Sequence, residues 1–196
     1  MSVILAHPNK DSFNHSIAKT VVKTLLNNGY EVFFHDLYEE NFDPVLPSPE
    51  IFKNAPLDNV IKAHCDEISN AAGFIVVHPN WWGQPPAILK GWMDRVIRPG
   101  VAYNYVKKDN GEVIPVGLLK AETALVFNTA NTPEKMELEV FGDPLETLWK
   151  NCIFNFCGVK QFYRKMFRIV IMSTFEERQK WLEEVEETVN SYFPAR

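Results

Sequence analysis

The sequence lacks the motifs that mark several common classes of protein. Neither G-x-G-x-x-G nor G-x-x-x-x-G-K-[ST] occurs in its 196 residues, so a dinucleotide fingerprint and a Walker A site are unsupported. No window approaches the roughly 18 apolar residues of a membrane span. The amino end has no basic segment before its short apolar run, so we expect a soluble protein without a signal peptide. No basic face offsets the net charge of −5, which argues against nucleic-acid binding.

Cysteine is also scarce, and its pattern excludes a disulfide framework. The three cysteines, Cys65, Cys152 and Cys157, form no C-x-x-C pair, so a reducing cytoplasm fits best. Cys152 and Cys157 stand among large apolar residues and are predicted to be small core residues. His35 ends a predicted strand and His64 lies on a predicted helix, and neither has the spacing of a metal-ligand set. We therefore expect no metal site.

Strand-like and helix-like segments alternate along the whole chain. Strands are predicted at 2–6, 31–37, 73–78, 122–127 and 160–170, and helices at 13–28, 57–71, 86–98, 145–156 and 175–192. The segment 107–115 is predicted to be an exposed polar excursion. This alternation is typical of an α/β fold, a doubly wound three-layer sandwich with a five-stranded parallel sheet. We expect the strand order 2-1-3-4-5 and a single domain over residues 1–196.

The loop after the third predicted strand is the most unusual stretch of the chain. It places two adjacent tryptophans, Trp81 and Trp82, next to Gly83 at the carboxyl end of a buried strand. Open α/β sheets bind ligands at this edge, beside the switch point between strands one and three. The two indoles suit a flat aromatic ring such as a flavin, and Gly83 lets main-chain amides approach it. The alternative is that both indoles pack on a helix or on a dimer partner.

The loop after the first strand lies on the other side of the same crevice. Ser12, Asn14 and Ser16 cluster where a helix begins, and exposed N–H groups at a helix start can bind phosphate without a glycine-rich loop. His7 and Lys10 are candidates for an added donor or positive charge. The alternative is an ordinary capped helix start.

The loop after the fourth predicted strand, residues 128–132, brings amide and hydroxyl donors to the same edge. Donors fixed at this point would stabilise the negative charge of a reduced flavin. The alternative is an ordinary polar turn. Two neighbouring features are structural: Trp92 belongs to the apolar stripe of a helix, and Asp143 is expected to cap one.

With these residues identified, the chain resembles the flavodoxin-like NAD(P)H:quinone oxidoreductase family, the DT-diaphorase group and its shorter bacterial relatives. The resemblance covers most of the chain, and its longest and most specific motif runs from Pro79 to Trp92. The other matching stretches are His7–Asn14, Asp36–Pro44, Gly142-Asp143 and Phe156–Gly158.

The resemblance implies three groups of flavin-binding residues. The first loop would hold the phosphates, the second would line the isoalloxazine, and the third would contact its pyrimidine edge. In the same order these groups are Ser12, Phe13, Asn14 and Ser16; Pro79, Asn80, Trp81, Trp82 and Gly83; and Asn128, Thr129, Ala130 and Asn131.

The resemblance also implies an activity. Family members are homodimers in which hydride passes from the co-substrate NAD(P)H to flavin N5, after which a quinone-like acceptor takes two electrons in a ping-pong cycle. The mammalian members place a Tyr and a His over the substrate, whereas Phe141 stands here in place of that His. No catalytic side chain is therefore assigned. The chain also lacks their long carboxyl extension, which favours FMN, with FAD as the alternative.

Two other functions remain open. The family fold also serves as an ancillary subunit of potassium-efflux systems, in which the protein would dock to a membrane transporter. A one-electron carrier of the flavodoxin type is the third alternative, and a crevice wide enough for a second ring argues against it.

Overall fold

A five-stranded parallel sheet forms the centre of this computed structural model, which describes residues 1–196. The strands of the structure are β1 (Ser2–Leu5), β2 (Phe33–Asp36), β3 (Gly73–Pro79), β4 (Tyr103–Lys107), β5 (Val113–Gly117), β6 (Thr123–Ala130) and β7 (Gln161–Arg168). The main sheet has the order β2-β1-β3-β6-β7, and all its pairs are parallel. Strands β1, β3 and β6 are buried along their whole length, as continuous apolar runs predict. The α/β prediction with a parallel sheet is confirmed.

The expected strand order 2-1-3-4-5 needs a correction. Strands β4 and β5 form a separate antiparallel hairpin, so the last two strands of the main sheet are β6 and β7. The segment 107–115, which the sequence suggested was an exposed polar excursion, is largely exposed and lies within this hairpin. Gly111, with φ +85°, forms its turn, and Lys108 donates a main-chain hydrogen bond to Glu112 at 2.8 Å. The exposed, mixed-polarity strands lack the clear alternation that would have identified them.

Six helices cover the sheet. They are α1 (Phe13–Asn27), α2 (Asn59–Asn70), α3 (Ala87–Val96), α4 (Glu134–Glu139), α5 (Pro144–Glu146) and α6 (Phe175–Tyr192), and α5 continues as a π-helix over Thr147–Asn155. Short 3₁₀ turns lie at Ser48–Ile51 and Val170–Met172. Ser12, Asp58, Asp143 and Thr174 cap α1, α2, α5 and α6 by accepting main-chain N–H bonds. The cap at Asp143 was expected from the sequence, whereas helix α4 was not predicted.

The two faces of the sheet bury separate apolar cores. One core joins alternate residues of β1, β3 and β6 to α1 and α6, and the other joins the intervening residues to α2, α3 and the π-helix. Trp92 is buried in the second core, as expected. Cys157 is buried there too, but Cys152 is exposed, so the prediction that both are core residues is wrong for Cys152. Measured against the length and hydropathy that a bilayer crossing requires, every helix falls short.

Candidate functional site

A cavity of about 610 Å³ lies at the carboxyl ends of β1, β3 and β6. This is the edge where the three unusual loops were expected to meet. Most of the predicted site residues line it, namely His7, Ser12, Phe13, Asn14, Pro79, Asn80, Trp81, Thr129, Ala130 and Asn131. Asn9, Thr132, Val170 and Ile171 complete the lining. Thr132 belongs to the loop 128–132 that the sequence indicated, whereas the sequence did not single out the other three. Trp82 and Gly83 line a neighbouring cavity instead, whereas Ser16 and Asn128 line neither.

The loop after β1 ends in a hydrogen-bonded chain that orients Ser12. The Ser12 hydroxyl lies 2.9 Å from Nδ1 of His15, and Nε2 of His15 lies 2.9 Å from a carboxylate oxygen of Asp36. His15 and Asp36 are both buried. Because Ser12 is also the N-cap of α1, its hydroxyl is held at the point where the helix leaves its first N–H groups without intrahelical partners.

Any attraction for an anion at the Ser12 end of this cavity comes from the helix start and not from basic side chains. No Lys or Arg lines the cavity. Burial lowers the pKa of His7 below its ordinary value, so its ring is neutral at neutral pH. Lys10 lies outside the cavity, where it pairs with Glu39 at 2.6 Å. An anion here would therefore be held by main-chain N–H groups, the Ser12 hydroxyl and the helix dipole.

Asn14 connects the first loop to the third. Its Nδ2 donates to Oγ1 of Thr129 at 2.9 Å, while its buried Oδ1 has no hydrogen-bond partner. Buried polar oxygens are rarely left unpaired. Since Asn14 lines the cavity, this oxygen is available to a donor on a bound molecule, such as a hydroxyl group.

The loop after β3 closes as a tight turn with a strained tryptophan at its tip. Trp81 and Gln84 exchange main-chain hydrogen bonds of 3.0 Å, and the two residues between them, Trp82 and Gly83, have φ of 57° and 72°. Both φ values match a type I′ turn. A left-handed conformation is unusual for a bulky side chain and persists where the surroundings impose it. The Trp82 side chain is nevertheless fully exposed.

A second cavity of about 490 Å³ adjoins the first. It is lined by Asn80, Trp82, Gly83, Thr132, Met136, Glu137, Phe141 and Pro144. Asn80 and Thr132 belong to both cavity walls. Glu137 is the one titratable residue of this lining, and it is completely buried. The sequence did not identify it, because it stands in a run of exposed acidic and apolar residues without a recognisable period.

The structure places Asn128 in the core and not at the ligand-binding edge, where the sequence suggested it. It is a buried residue of β6, and its side chain is turned into the core, where Nδ2 lies 2.8 Å from Nε2 of His78. Trp149 donates its indole N–H to the same nitrogen at 2.9 Å. Burial lowers the pKa of His78 to about 4. His78 is thus part of the structural support of the site and has no access to a ligand.

Two histidines that are 29 positions apart meet on the other face of the sheet. His35, Glu40 and His64 bring ligand atoms within 4.8 Å of one another, although their spacing in the sequence excluded a metal set. Their ring nitrogens already have partners, however. His35 contacts Glu40 at 2.8 Å and Glu67 at 2.5 Å, and Nδ1 of His64 accepts the indole N–H of Trp92 at 3.1 Å. That bond occupies Nδ1 of His64, so the cluster is better suited to hydrogen bonding than to metal ligation.

The amino-acid sequence matches the family Flavodoxin_2, described as a flavodoxin-like fold, over residues 1–191. The chain therefore belongs to this family. It is 36% identical to a Haemophilus influenzae protein named Uncharacterized NAD(P)H oxidoreductase, over 92% of this chain and 89% of that protein. Rat NAD(P)H dehydrogenase (quinone) 1 is 30% identical over 80% of this chain, and the match spans 64% of that relative. The crystal structure of Smu.1420 from Streptococcus mutans UA159 is 31% identical, with a TM-score of 0.79 and coverage of 97% and 100% of the two chains.

Proposed function

We propose that this protein is a flavin-dependent NAD(P)H oxidoreductase that reduces quinones or similar small electrophiles by a two-electron, ping-pong mechanism. The observation that carries the proposal is the pair of adjoining cavities at the carboxyl edge of the sheet, about 610 and 490 Å³, with Asn80 and Thr132 in both walls. One cavity has the features of a phosphate site, and the wall of the other includes two aromatic rings and a methionine. The relatives named as an NAD(P)H oxidoreductase and as a quinone dehydrogenase support the same activity.

The first cavity fits a flavin mononucleotide. Its volume is within the ordinary range for a small-molecule site, roughly 300–1,000 Å³. The start of α1 and the Ser12 hydroxyl would hold the phosphate. The unpartnered Oδ1 of Asn14 would accept a hydrogen bond from a hydroxyl group on the chain that joins the flavin ring to the phosphate. When bound, the flavin supplies a group that accepts hydride from NAD(P)H and delivers two electrons to the second substrate. We propose FMN as the flavin, with FAD as the alternative.

The second cavity would receive both substrates in turn. Trp82, Met136 and Phe141 present apolar surface there, and a planar ring seated against them would displace water and be held in position. Because one cavity serves both the NAD(P)H nicotinamide and the acceptor, the first product must leave before the second substrate enters. This order is the physical basis of the ping-pong proposal.

A homodimer is part of the proposal. Trp82 is fully exposed, and Met136 and Phe141 are also exposed around the mouth of the second cavity. Apolar side chains concentrated at a cavity mouth are typical of interaction surfaces, and a second copy of the chain would cover them and complete the cavity wall. Sedimentation of the flavin-loaded protein is expected to give twice the mass of 22.6 kDa. Full activity in a monomer at micromolar concentration would contradict this part of the proposal.

Anaerobic mixing tests the activity directly. Flavin-loaded protein mixed with NADPH, and separately with NADH, is expected to lose its yellow absorbance band within a catalytic turnover time, and a quinone should then restore it. Protein that holds no flavin, or a bound flavin that keeps its colour with both co-substrates, would refute the proposal. No feature of the fold favours the alternatives of a transporter subunit or a one-electron carrier.

A further inference from the structure

Two buried oxygen atoms in the wall of the second cavity have no hydrogen-bond donor. They are Oδ1 of Asn80 and Oε2 of Glu137. The two side chains are already joined, because Nδ2 of Asn80 donates to Oε1 of Glu137 at 3.0 Å. Each member of the pair therefore has one satisfied atom and one unsatisfied oxygen. A buried acceptor without a donor costs about 1–3 kcal/mol, and more when it is charged.

Main-chain hydrogen bonds hold the backbone of both residues in place. The amide N–H of Asn80 donates to the carbonyl oxygen of Thr129 at 2.7 Å. Glu137 donates from its own amide to the carbonyl of Pro133 at 3.1 Å and accepts at its carbonyl from the amide of Asp143 at 2.9 Å. The Glu137 side chain is buried in the wall of the cavity.

One proton would satisfy the whole arrangement. A carboxylic acid and a primary amide form a reciprocal pair in which the amide N–H donates to the acid carbonyl and the acid O–H donates to the amide oxygen. A proton on Oε2 of Glu137 supplies this second hydrogen bond.

We propose that Glu137 carries this proton and donates it to the acceptor during its reduction, an assignment that rests on the proposed function. Reduction of a quinone needs a hydride and a proton. The hydride comes from the dihydronicotinamide by way of the flavin, and the proton passes from Oε2 of Glu137 to the acceptor oxygen. Glu137 is left as a carboxylate and regains a proton from solvent before the next cycle. The other seven residues of the cavity lining have no titratable side chain, so they offer no competing acid.

The two half-reactions separate this role from a structural one. Glu137→Gln keeps the shape of the side chain, and its amide can donate to Asn80 as the acid does, so the protein is expected to fold and bind flavin normally. The loss should fall on the quinone half-reaction, and flavin reduction by NAD(P)H should be affected far less. Reoxidation by a quinone should slow about 100-fold, at the lower end of the usual contribution of general acid catalysis. Reoxidation by ferricyanide, which takes electrons without protons, should be unaffected. Glu139→Gln on the exposed side of α4 is the matched control.

A second measurement needs no variant. The wild-type protein is expected to show a solvent deuterium isotope effect on reoxidation by the quinone and none on reoxidation by ferricyanide. Two results would overturn the assignment while leaving the proposed function intact. One is reoxidation by the quinone at the same rate in the wild type and Glu137→Gln, and the other is the absence of an isotope effect in the wild type. Failure of NAD(P)H to bleach the flavin in the wild type would instead refute the proposed function itself.

Discussion

The indole nitrogen of Trp149 donates a hydrogen bond to Nε2 of His78 at 2.9 Å, and the side-chain amide of Asn128 approaches the same nitrogen at 2.8 Å. Nδ1 of His78 lies 2.8 Å from the carbonyl oxygen of Pro79. A neutral ring protonated at Nδ1 satisfies all three contacts. Three segments, β3, β6 and the π-helix, are therefore joined through one histidine directly below the aromatic loop.

The first prediction concerns the titration of His78. Burial lowers its pKa to about 4 in the folded state, against an ordinary value of 6.5 in the unfolded chain. The unfolded state therefore binds more protons between these values, so the stability contributed by neutral His78 is fully present above pH 6.5 and is lost as the pH falls towards 4. The loss amounts to roughly 3 kcal/mol. Nitrogen NMR of the histidine side chains should show an unprotonated Nε2 at pH 5.5, and titration near 6.5 would contradict the placement.

The second prediction concerns the His35 network. Burial lowers the pKa of His35, but hydrogen bonds to Glu40 and Glu67 outweigh this effect and raise it above the ordinary value. The stability from protonated His35 is therefore fully present below pH 6.5 and is lost as the pH rises through the raised pKa. Burial raises the pKa of Glu40, but hydrogen bonds and charge from His35 and His64 lower it to about 2. Its contribution is present above pH 4.5 and is lost as the pH falls towards 2.

The measurement is urea unfolding of Glu67→Gln at two pH values. The substitution should destabilise the protein by about 1 kcal/mol at pH 5.5, and by less at pH 9, where the wild-type network has itself lost its charge. Asp66→Asn, at an exposed position on the same helix, is the control and should have little effect at either pH. An effect of Glu67→Gln that does not change with pH would show that His35 is uncharged.

The third prediction distinguishes two serines that the sequence placed in one group. Ser12 lines the first cavity and is held by His15, whereas Ser16 lies one turn further along α1 and outside the cavity. Ser12→Ala should weaken flavin binding about tenfold, since a hydrogen bond to a charged group contributes about 1.5–3 kcal/mol. It should also cost about 1 kcal/mol of stability through loss of the helix cap. Ser16→Ala should leave flavin affinity unchanged, as measured by quenching of tryptophan fluorescence. Equal losses in both variants would show that the phosphate lies deeper along the helix.

The fourth prediction uses the strained turn of the aromatic loop. Trp82 has φ 57° and a fully exposed side chain, so Trp82→Gly relieves backbone strain without leaving a cavity. The variant should stay within about 1 kcal/mol of the wild-type stability. Its catalytic efficiency with NAD(P)H should fall at least tenfold if the indole forms the wall of the second cavity.

Gly83, the next residue, provides a contrast, because its substitution is expected to destabilise the protein. Gly83 has φ +72°, and a Cβ atom there would lie 2.8 Å from Cγ of Pro144. Gly83→Ala should therefore cost 1 kcal/mol or more of stability, whatever its effect on activity. Thermal unfolding of the two single variants compares them directly. A Trp82→Gly variant less stable than Gly83→Ala would show that the indole packs against the protein.

The loops of the site were well located by sequence because a simple rule applies to them. The carboxyl ends of parallel strands lie at one edge, so His7, Trp81 and Asn131 had to approach one another once the strands were recognised. The orientation of individual side chains did not follow from this rule. Asn128 is close to Asn131 in the sequence, but it is a buried residue of β6 whose side-chain amide lies against His78 in the core.

What the sequence determined by itself is the alternation of buried strands with amphipathic helices, and with it the parallel sheet and the edge where the loops converge. Periodicity and turn chemistry are local properties that can be recognised in a few adjacent residues. The tertiary structure alone decided that His35 meets His64, that Trp149 supports His78, and that Glu137 lies sealed against Asn80. These contacts join residues from 29 to 71 positions apart, and packing of whole elements brings them together. The chemistry of the second cavity depends on this last kind of contact, because a buried carboxyl group takes its character from its neighbours in space and not from those along the chain.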